Sequence, residues 1–579
     1  MQTHYTNEEN VQILVALMKH HGVRKVVASP GTTNITFVAS LQCDPYFQVY
    51  SAADERSAAY IACGMAAESG EPVALSCTGA TASRNYIPGL TEAFYRKLPI
   101  LAVTSSQHLG RVGHNVAQVI DRRTLPNDIC LISIQVPSVC SSEDRWACEM
   151  GLNEVLLELK HHGGGPVHVN LVTTYSDDFS VKELPAVSVV DRIMPTDEFP
   201  SLDGKRVAVF VGAHQEWSAR LTKAVDAFCG AYGAMVVCDH TSNYHGPYRA
   251  LGALAFSQDG YFAHCREVDV LIYIGDISGA YYGFLNKQTW RVNPDGKVRD
   301  TFKKLRYVFE MDEADFFESY ASSATGKPSV DLAAEWKEAD GRIRAKMPEL
   351  PFSNPWLAQQ TASHLPEGSV IHFGILNSLR SWNLFEVPNS VRCYANTGGF
   401  GIDGCVSSLI GASLASPETL FFGIVGDLAM FYDLNSLGNR HVGCNLRLMV
   451  VNNGRGTEFR NYNHKAAAFG DDADAFMAAA GHYGAQSRAL LRHYAEDLGF
   501  EYLSAEDKEE YLAQRDRFVD PRPHERPLLF EVFTDSRDES DALKIVQGLE
   551  VNAKGAAKQA VKNVFGEKGI RAAKKLLRR

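Results

Sequence analysis

Two polar side chains, Asp427 and Asn453, each follow an apolar run at a point where a strand is expected to end. The runs are 421–425 and 446–451, and a helix-like segment separates them. This order predicts a strand, a crossover helix and a parallel strand, which places the carboxylate and the amide side by side at the carboxyl edge of one sheet. Oxygen ligands beside a helix start suit a hard cation and the diphosphate that it bridges.

Strand-like and helix-like segments alternate on both sides of this site along most of the chain. The alternation predicts an α/β protein of three doubly wound units with mostly parallel sheets. Proline-rich and charged stretches at 185–200 and 346–355 are predicted to be linkers between the units. The predicted domains are 1–182, 190–345 and 355–548, followed by a tail at 550–579. Predicted strands of the first two domains are 23–28, 47–51, 73–77, 100–104, 167–171, 206–211, 234–238, 270–274 and 305–310.

Composition narrows the class of protein. A chain of 579 residues is too long for one hydrophobic core. Its net charge of −11 argues against nucleic-acid binding by bulk electrostatics. No apolar run reaches the roughly 18 residues of a membrane span, and the N-terminus lacks the layout of a secretory signal. Its 12 cysteines are scattered without a Cys-x-x-Cys pair, which predicts a reducing, cytoplasmic location.

The tail has a different composition from the rest of the chain. Lysine and arginine residues surround apolar ones between 551 and 579, the pattern of a basic amphipathic helix. We expect it either to contact an anionic membrane surface or acidic partner weakly, or to remain a solvated basic helix.

Several short motifs together resemble the thiamine diphosphate-dependent 2-oxo acid decarboxylase and acetolactate synthase superfamily. Within it, the resemblance is to the 2-succinyl-5-enolpyruvyl-6-hydroxy-3-cyclohexene-1-carboxylate synthase family and covers residues 1 to about 545. The motifs are Asp54-Glu55-Arg56-Ser57-Ala58, Cys77-Thr78-Gly79, 86–92, 165–170, Ala395-Asn396-Thr397-Gly398, Gly401-Ile402-Asp403-Gly404, Gly426-Asp427-Leu428 and Asp433-Leu434-Asn435.

The resemblance implies thiamine diphosphate and Mg²⁺ as cofactors. It makes the first domain pyrimidine-binding and the third diphosphate-binding. Glu55 would hydrogen-bond the pyrimidine ring. The alternative is that Glu55 only caps a helix. Asp427, Asn453 and the Arg455 carbonyl would bind Mg²⁺. The implied cofactor-binding set is Glu55, Gly31, Thr78, Ile402, Gly426, Asp427, Leu428, Ala429 and Asn453, with Ile402 supporting the bent cofactor.

The resemblance also implies that each active site combines Glu55 of one subunit with Asp427 of another. The expected active form is therefore a homodimer or homotetramer, and a monomer should be inactive.

The substrate region departs from the family pattern. The family has an arginine where this chain has Thr33 and another where it has Thr397, and a threonine hydroxyl cannot replace bidentate carboxylate recognition. Transfer of the family's own reaction is therefore not expected. The predicted substrate residues are Thr32, Thr33, Ser378, Arg380 and Thr397. Gln118 and the nearby His114 are the further catalytic candidates, and 459–465 is expected to form a substrate wall.

The predicted function is decarboxylation of a 2-oxo acid followed by addition of the acyl anion to an acceptor. Two alternatives remain: a decarboxylase that releases an aldehyde, which would share every cofactor residue, and a non-catalytic scaffold. Neither donor nor acceptor is identified by the sequence.

Overall fold

The computed structural model describes residues 4–324, 328 and 330–552. These form two compact units. The first unit contains 4–199 with Gln288–Met311, and the second contains Pro200–Lys287 with 312–552. Among the described residues, no helix has the length and apolar character needed to cross a bilayer.

Six parallel strands form the first sheet, in the order β2-β1-β3-β4-β6-β5. Parallel sheets are usually covered on both faces, and the apolar runs in these strands agree with such burial. The strands are β1 (Lys25–Ala28), β2 (Gln48–Ser51), β3 (Val73–Cys77), β4 (Ile100–Ser106), β5 (Ser133–Val136) and β6 (Val167–Val172). The α-helices between them are Glu9–His20, Ile35–Gln42, Glu55–Ser69, Thr81–Asn85, Ile87–Arg96 and Ser142–Glu158.

Strands of the middle segment are distributed over both units. In the second unit the order is β10-β9-β8-β11, and in the first unit β12 pairs with β13 and β13 with β7. The strands are β7 (Asp191–Ile193), β8 (Val207–Val211), β9 (Met235–Cys238), β10 (Arg249–Leu251), β11 (Glu267–Ile274), β12 (Leu285–Val292) and β13 (Leu305–Phe309).

The predicted linker at 185–200 is wrong in part, because it contains β7. This strand has only three residues, Asp191–Ile193, and each pairs with a residue of β13. Asp191 also accepts a hydrogen bond from Arg306 at 2.6 Å. A strand this short between prolines has no detectable alternation, so its pairing partner decides its conformation.

The third sheet carries the pair of strands that the sequence indicated. Its order is β15-β14-β16-β17-β19-β18, and all neighbours are parallel. The strands are β14 (Val370–Phe373), β15 (Arg392–Ala395), β16 (Phe421–Gly426), β17 (Leu446–Asn452), β18 (Glu501–Ala505) and β19 (Leu528–Phe533).

Helices of the second unit cover the faces of these strands. Leu409, Met430 and Leu448 are fully buried in one core cluster. The α-helices are Ala219–Tyr232, Ala253–Phe256, Glu313–Ser323, Leu332–Arg344, Asn354–Thr361, Asn377–Trp382, Cys405–Ala415, Asp427–Tyr432, Ala473–Phe476, Leu490–Asp497, Lys508–Phe518 and Ser536–Gln547.

The predicted α/β fold with three parallel-sheet units is confirmed. Predicted strands agree with observed ones to within a few residues. In the first two predicted domains, β5, β7, β10 and β12 were not predicted, and in the third only β16 and β17 were. The domain limits at 1–182, 190–345 and 355–548 stay predictions. The predicted basic tail lies outside the described residues from 553 onward.

Candidate functional site

The polar pair predicted from the sequence lies at the carboxyl ends of two adjacent strands. Gly426 at the end of β16 is in register with Val451 of β17, and Asp427 and Asn453 follow these strands. Asp427 begins the helix Asp427–Tyr432. Both residues line one cavity of about 100 Å³ in the second unit.

Burial sets the electrostatics of Asp427, whose residue exposure is 4%. Removal from water raises the pKa of its carboxyl to about 7, although backbone N–H groups of Leu428, Gly454 and Arg455 oppose the shift. A buried carboxylate held only by such dipoles is costly when ionised. A bound cation would offset that cost.

The remaining polar atoms of this cavity suit a divalent cation. The Asn453 Oδ1 atom is buried and accepts no hydrogen bond from the described residues. At Gly426, a Cβ atom would meet open space, so the strand end is clear on the cavity side. The Arg455 guanidinium is bound to Asp474 at 2.8 Å, so the side chain of this metal-ligand candidate is engaged there and its backbone carbonyl is the atom considered for the metal. These residues fit Mg²⁺ with a diphosphate.

Other predicted residues line the same cavity, together with some that sequence reasoning missed. Ile402, Leu428, Ala429 and Ser378 were predicted and line it. The residues not predicted are Asn354, Gly374, Ile375, Leu376, Asn377, Thr457 and Glu458. Glu458 directly precedes the predicted substrate wall.

A second carboxylate, Glu539, is fully buried behind the cavity. It accepts hydrogen bonds from the Asn354 N–H at 3.0 Å and the Thr534 hydroxyl at 2.8 Å, and from the Asn377 amide at 3.5 Å. Burial raises the pKa of Glu539 to about 7 despite these donors. Glu539 therefore holds Asn354 and Asn377, two of the three asparagines that line the cavity.

A larger cavity of about 470 Å³ lies beside the first one. Glu458 lines both cavities, and Arg380 lines the larger one. Its other lining residues are Asp259, Asn461, Tyr462, Asn463, His464, Ser540, Leu543, Lys544 and Gln547. The predicted wall at 459–465 thus contributes residues to both cavities. Thr397 is buried but is not among the residues that line either one.

In the first unit, Glu55 occupies the first turn of the helix Glu55–Ser69. The capping role considered for Glu55 belongs to Asp54, whose side chain accepts from the Ser57 N–H at 2.7 Å. Glu55 is half-buried, and its carboxylate contacts the Asn85 amide at 3.5 Å. Its carboxylate is therefore not required for the cap.

Gly31, Thr33 and Thr78 form a contact between two strand ends of the first sheet. The Thr33 and Thr78 hydroxyls are 2.7 Å apart. A Cβ atom at Gly31 would lie 2.4 Å from the Thr78 Cβ, so only glycine permits this approach. Thr33 is buried by the contact, while Thr32 is exposed.

The loop after β4 carries Gln118 and His114, both exposed. Gln118 has a positive φ of 62°, an uncommon conformation for a residue with a side chain. Its carbonyl lies 2.7 Å from where a Cβ of Gly79 would be. The structure therefore brings the Gln118 backbone close to Gly79. His114 is not among the residues that line either cavity.

Arg122 is a buried cation that sequence reasoning missed. It is 3% exposed, and its Nη2 donates to the Ser105 carbonyl at 3.0 Å and to Asn170 Oδ1 at 2.7 Å. Its Nε and Nη1 have no hydrogen-bond partner among the described residues. Burial lowers the pKa of Arg122 to about 10. Its sequence context, Asp121-Arg122-Arg123, gave no signal, because it looks like an exposed charged turn.

Comparison with known proteins identifies the family that the chain resembles. Residues 9–125 match the family model of the thiamine pyrophosphate enzyme N-terminal TPP binding domain. The chain is 30% identical over 564 residues to a 2-succinyl-5-enolpyruvyl-6-hydroxy-3-cyclohexene-1-carboxylate synthase of Bacteroides fragilis, covering 93% of this chain and 98% of the relative. The synthase of the same name from Phocaeicola vulgatus is 30% identical over 568 residues, with the same coverage.

Proposed function

The chain belongs to the 2-succinyl-5-enolpyruvyl-6-hydroxy-3-cyclohexene-1-carboxylate synthase family of thiamine diphosphate-dependent enzymes, and from this premise we propose that it is a carboligase. In the proposed reaction, a 2-oxo acid loses CO₂ and the remaining acyl group is joined to an acceptor. Mg²⁺ is the proposed metal, bound by Asp427, Asn453 and the Arg455 carbonyl.

The observation that carries the proposal is the polar pair at the ends of β16 and β17. The Asp427 carboxylate lines one cavity together with Asn453, whose Oδ1 has no hydrogen-bond partner among the described residues, and with Ile402. A carboxylate and an amide at this edge of a parallel sheet bind a cation and the phosphate groups that it bridges. We therefore assign the diphosphate end of the cofactor to this cavity.

When bound, thiamine diphosphate would supply a nucleophilic ring carbon and a thiazolium ring that accepts the electron pair released by decarboxylation. We propose that Glu55 holds a proton at the cofactor's pyrimidine nitrogen through a hydrogen bond. Asp427 and Asn453 fix the metal, and Ile402 supports the cofactor from the side of the glycine-rich segment. Leu428 and Ala429 exclude water from the cavity with their apolar side chains.

The substrate pair is proposed to differ from the one that the relatives' name implies. Thr33 has a neutral hydroxyl that is hydrogen-bonded to Thr78, and the Arg380 cation is paired with Glu458, so neither side chain offers an unpaired positive charge to a substrate carboxylate. The larger cavity instead offers Lys544, whose ammonium lies 5.5 Å from the Tyr462 ring centre. We propose this cavity as the acceptor site, and its polar lining favours an acceptor with several hydroxyl or carboxylate groups. Ser378 remains a proposed substrate contact.

The test is incubation of the full chain with thiamine diphosphate, Mg²⁺ and a panel of monocarboxylic and dicarboxylic 2-oxo acids. Each acid is offered with and without unsaturated cyclic carboxylic acids, and CO₂, aldehyde and ligated product are quantified by mass spectrometry. Ligated product in excess of aldehyde would support the carboligase. Aldehyde alone, unchanged by any acceptor, would support the simple decarboxylase. CO₂ release from no acid in the panel would contradict both.

Assembly and location are further parts of the proposal. We propose a homodimer or homotetramer in which Glu55 of one subunit serves the Asp427 cavity of another. A cytoplasmic location is supported by the 12 cysteines, all of which are free thiols. Weak contact of the tail with anionic lipid is tested by liposome sedimentation of the chain with and without residues 551–579.

A further inference from the structure

Three side chains with metal-binding atoms converge in the first unit, apart from the residues discussed above. His161 and His162 follow the helix Ser142–Glu158, and Glu310 follows β13. The His161 Nε2 atom lies 2.7 Å from Glu310 Oε2, and the His162 Nε2 atom lies 2.8 Å from Glu310 Oε1. One ligand atom from each residue falls within 4.8 Å of the others.

We propose that His161, His162 and Glu310 bind a Zn²⁺ ion. Two imidazoles and one carboxylate are a ligand set that zinc accepts, and water would complete a tetrahedral site. Harder cations are disfavoured, because Mg²⁺ and Ca²⁺ prefer oxygen ligands. The site is independent of the proposed carboligase function, and none of its ligands belongs to the thiamine diphosphate motifs.

The surroundings of His161 support the assignment. Its other ring nitrogen, Nδ1, lies 2.9 Å from the Glu158 carboxylate. A proton on Nδ1, donated to Glu158, leaves the Nε2 lone pair directed at the Glu310 side, and this carboxylate–histidine arrangement typically orients metal-bound imidazoles. Glu158 is itself held by Arg192 at 2.8 Å. The ligand tautomer is therefore fixed by residues that do not bind the metal.

Charge at the site also favours a dication. Glu310 and Glu158 contribute two negative charges, and Arg192, whose Nε lies 3.5 Å from Glu310, contributes one positive charge. With neutral imidazoles, the group carries a net negative charge. A bound zinc ion would change this net charge from −1 to +1.

The geometry requires a small opening of the cluster. Tetrahedral zinc with bonds of about 2.0–2.1 Å separates its ligand atoms by about 3.3 Å, roughly half an ångström more than the two contacts with Glu310. The His162 side chain is 70% exposed and free to make this shift, while His161 is 13% exposed and held by Glu158. His162 has a positive φ of 48°, and Gly163 and Gly164 follow with positive φ. This uncommon turn directs both adjacent imidazoles to one carboxylate.

The test measures zinc binding to the full chain with thiamine diphosphate and Mg²⁺ at saturation, so that the metal-binding residues of the Asp427 cavity are occupied and do not bind the added zinc. Isothermal titration calorimetry with Zn²⁺ should give one site per chain, and Co²⁺ should give the visible absorption bands of a tetrahedral ion. His162→Asn is the informative variant, because asparagine tolerates the left-handed backbone. It should weaken zinc binding at least tenfold, as should Glu310→Gln.

A control variant separates this site from adventitious binding. His264→Asn removes a histidine that pairs with Glu335 and is 69% exposed, and it should leave zinc affinity unchanged. Equal zinc affinity in wild type and His162→Asn, or absence of tetrahedral Co²⁺ bands, would contradict the zinc site. The three residues would then form ion pairs only. Loss of carboligase activity would not affect either readout.

Discussion

Arg380 and Glu458 form a bidentate ion pair at the boundary of the two cavities. Nη1 lies 2.5 Å from Oε2, and Nη2 lies 2.9 Å from Oε1. The pair joins the helix Asn377–Trp382 to the segment that follows the metal-ligand candidates. A guanidinium engaged through Nη1 and Nη2 does not present these two nitrogens to a substrate carboxylate unless Glu458 releases them.

We expect Glu458→Gln to release Arg380 and to lower KM for a dicarboxylic substrate by several fold to about tenfold, because a free guanidinium binds a carboxylate bidentately. Arg380→Gln should raise KM for the same substrate, since it leaves an unpaired carboxylate at the cavity. Both values come from initial rates across the 2-oxo acid panel.

Arg517→Gln is the matched control for this pair. Arg517 holds Glu501 in the same bidentate way, at 2.9 and 2.6 Å, and lines neither cavity. The KM values of the Arg517→Gln enzyme should equal those of the wild type. A Glu458→Gln enzyme with unchanged KM for every substrate tested would contradict the proposed role.

Asp427→Asn should abolish cofactor loading without unfolding the chain. The variant keeps the shape of the side chain but removes the charge that a cation requires, so thiamine diphosphate affinity in the presence of Mg²⁺ should fall by more than about tenfold. The cofactor-free protein should melt no lower than the wild type, because a buried carboxylate without a cation is costly.

Calorimetric titration and differential scanning calorimetry measure the two effects. Asp520→Asn, at a carboxylate that pairs with Arg522 at the surface, is the control and should change neither. Normal cofactor binding by Asp427→Asn would contradict the proposed role of Asp427 as a metal ligand.

The pH dependence of stability should identify Glu539. Its pKa rises from 4.5 to about 7 on folding, so the folded protein retains a proton that the unfolded chain releases. The stabilising contribution of the Glu539 proton to the free energy of unfolding is fully present below about pH 4.5. It is lost as the pH rises through 7, by about 3 kcal/mol in all. Asp427, whose pKa burial also raises to about 7, adds a similar decline in the cofactor-free protein. In urea unfolding without cofactor, the stability of the wild type relative to Glu539→Gln should therefore fall by about 3 kcal/mol between about pH 4.5 and 7.

Glutamine suits this test because it mimics the protonated acid. The oxygen of the introduced glutamine would keep the bonds from the Asn354 N–H and Thr534, and its amide would face Asn377, whose Oδ1 is unpartnered among the described residues. Glu68→Gln, at an exposed position of the first unit, should retain the wild-type slope. A parallel decline in wild type and Glu539→Gln would assign the titration to another group.

The sequence predicted one part of the site well because local order determined it. Asp427 and Asn453 each end a buried strand, and parallel pairing brings such ends together whatever the loops do. Glu458 and Glu539 were missed as functional residues because their importance depends on long-range contacts, with Arg380 in one case and with Asn354 in the other. Arg122 was missed for a similar reason: nothing in its neighbours along the chain indicates that it is buried.

The strand β7 shows the corresponding limit for the fold. Three residues between prolines have too little pattern to predict pairing, whereas the longer apolar runs of β16 and β17 were found almost to the residue. The basis of each success was a pattern long enough to have a period.

Shared active sites predict complementation between two inactive proteins. Glu55→Gln should lose most turnover while binding cofactor normally, whereas Asp427→Asn should lose both. If Glu55 of one subunit serves Asp427 of another, a mixed dimer contains one site with both changes and one site with neither. Random pairing makes half of the dimers mixed, each with half of its sites intact, so activity should recover to about one quarter of the wild-type value.

The measurement uses co-expressed, differently tagged subunits and initial rates per mole of chain. A mixture of Glu55→Gln with Glu68→Gln is the control, because Glu68 lies exposed on the same helix and its loss should spare activity in every site that retains Glu55. If both residues of a site came from one chain, every site in the Glu55→Gln and Asp427→Asn mixture would carry one defect. Such a mixture would stay inactive, and the interfacial site would be excluded.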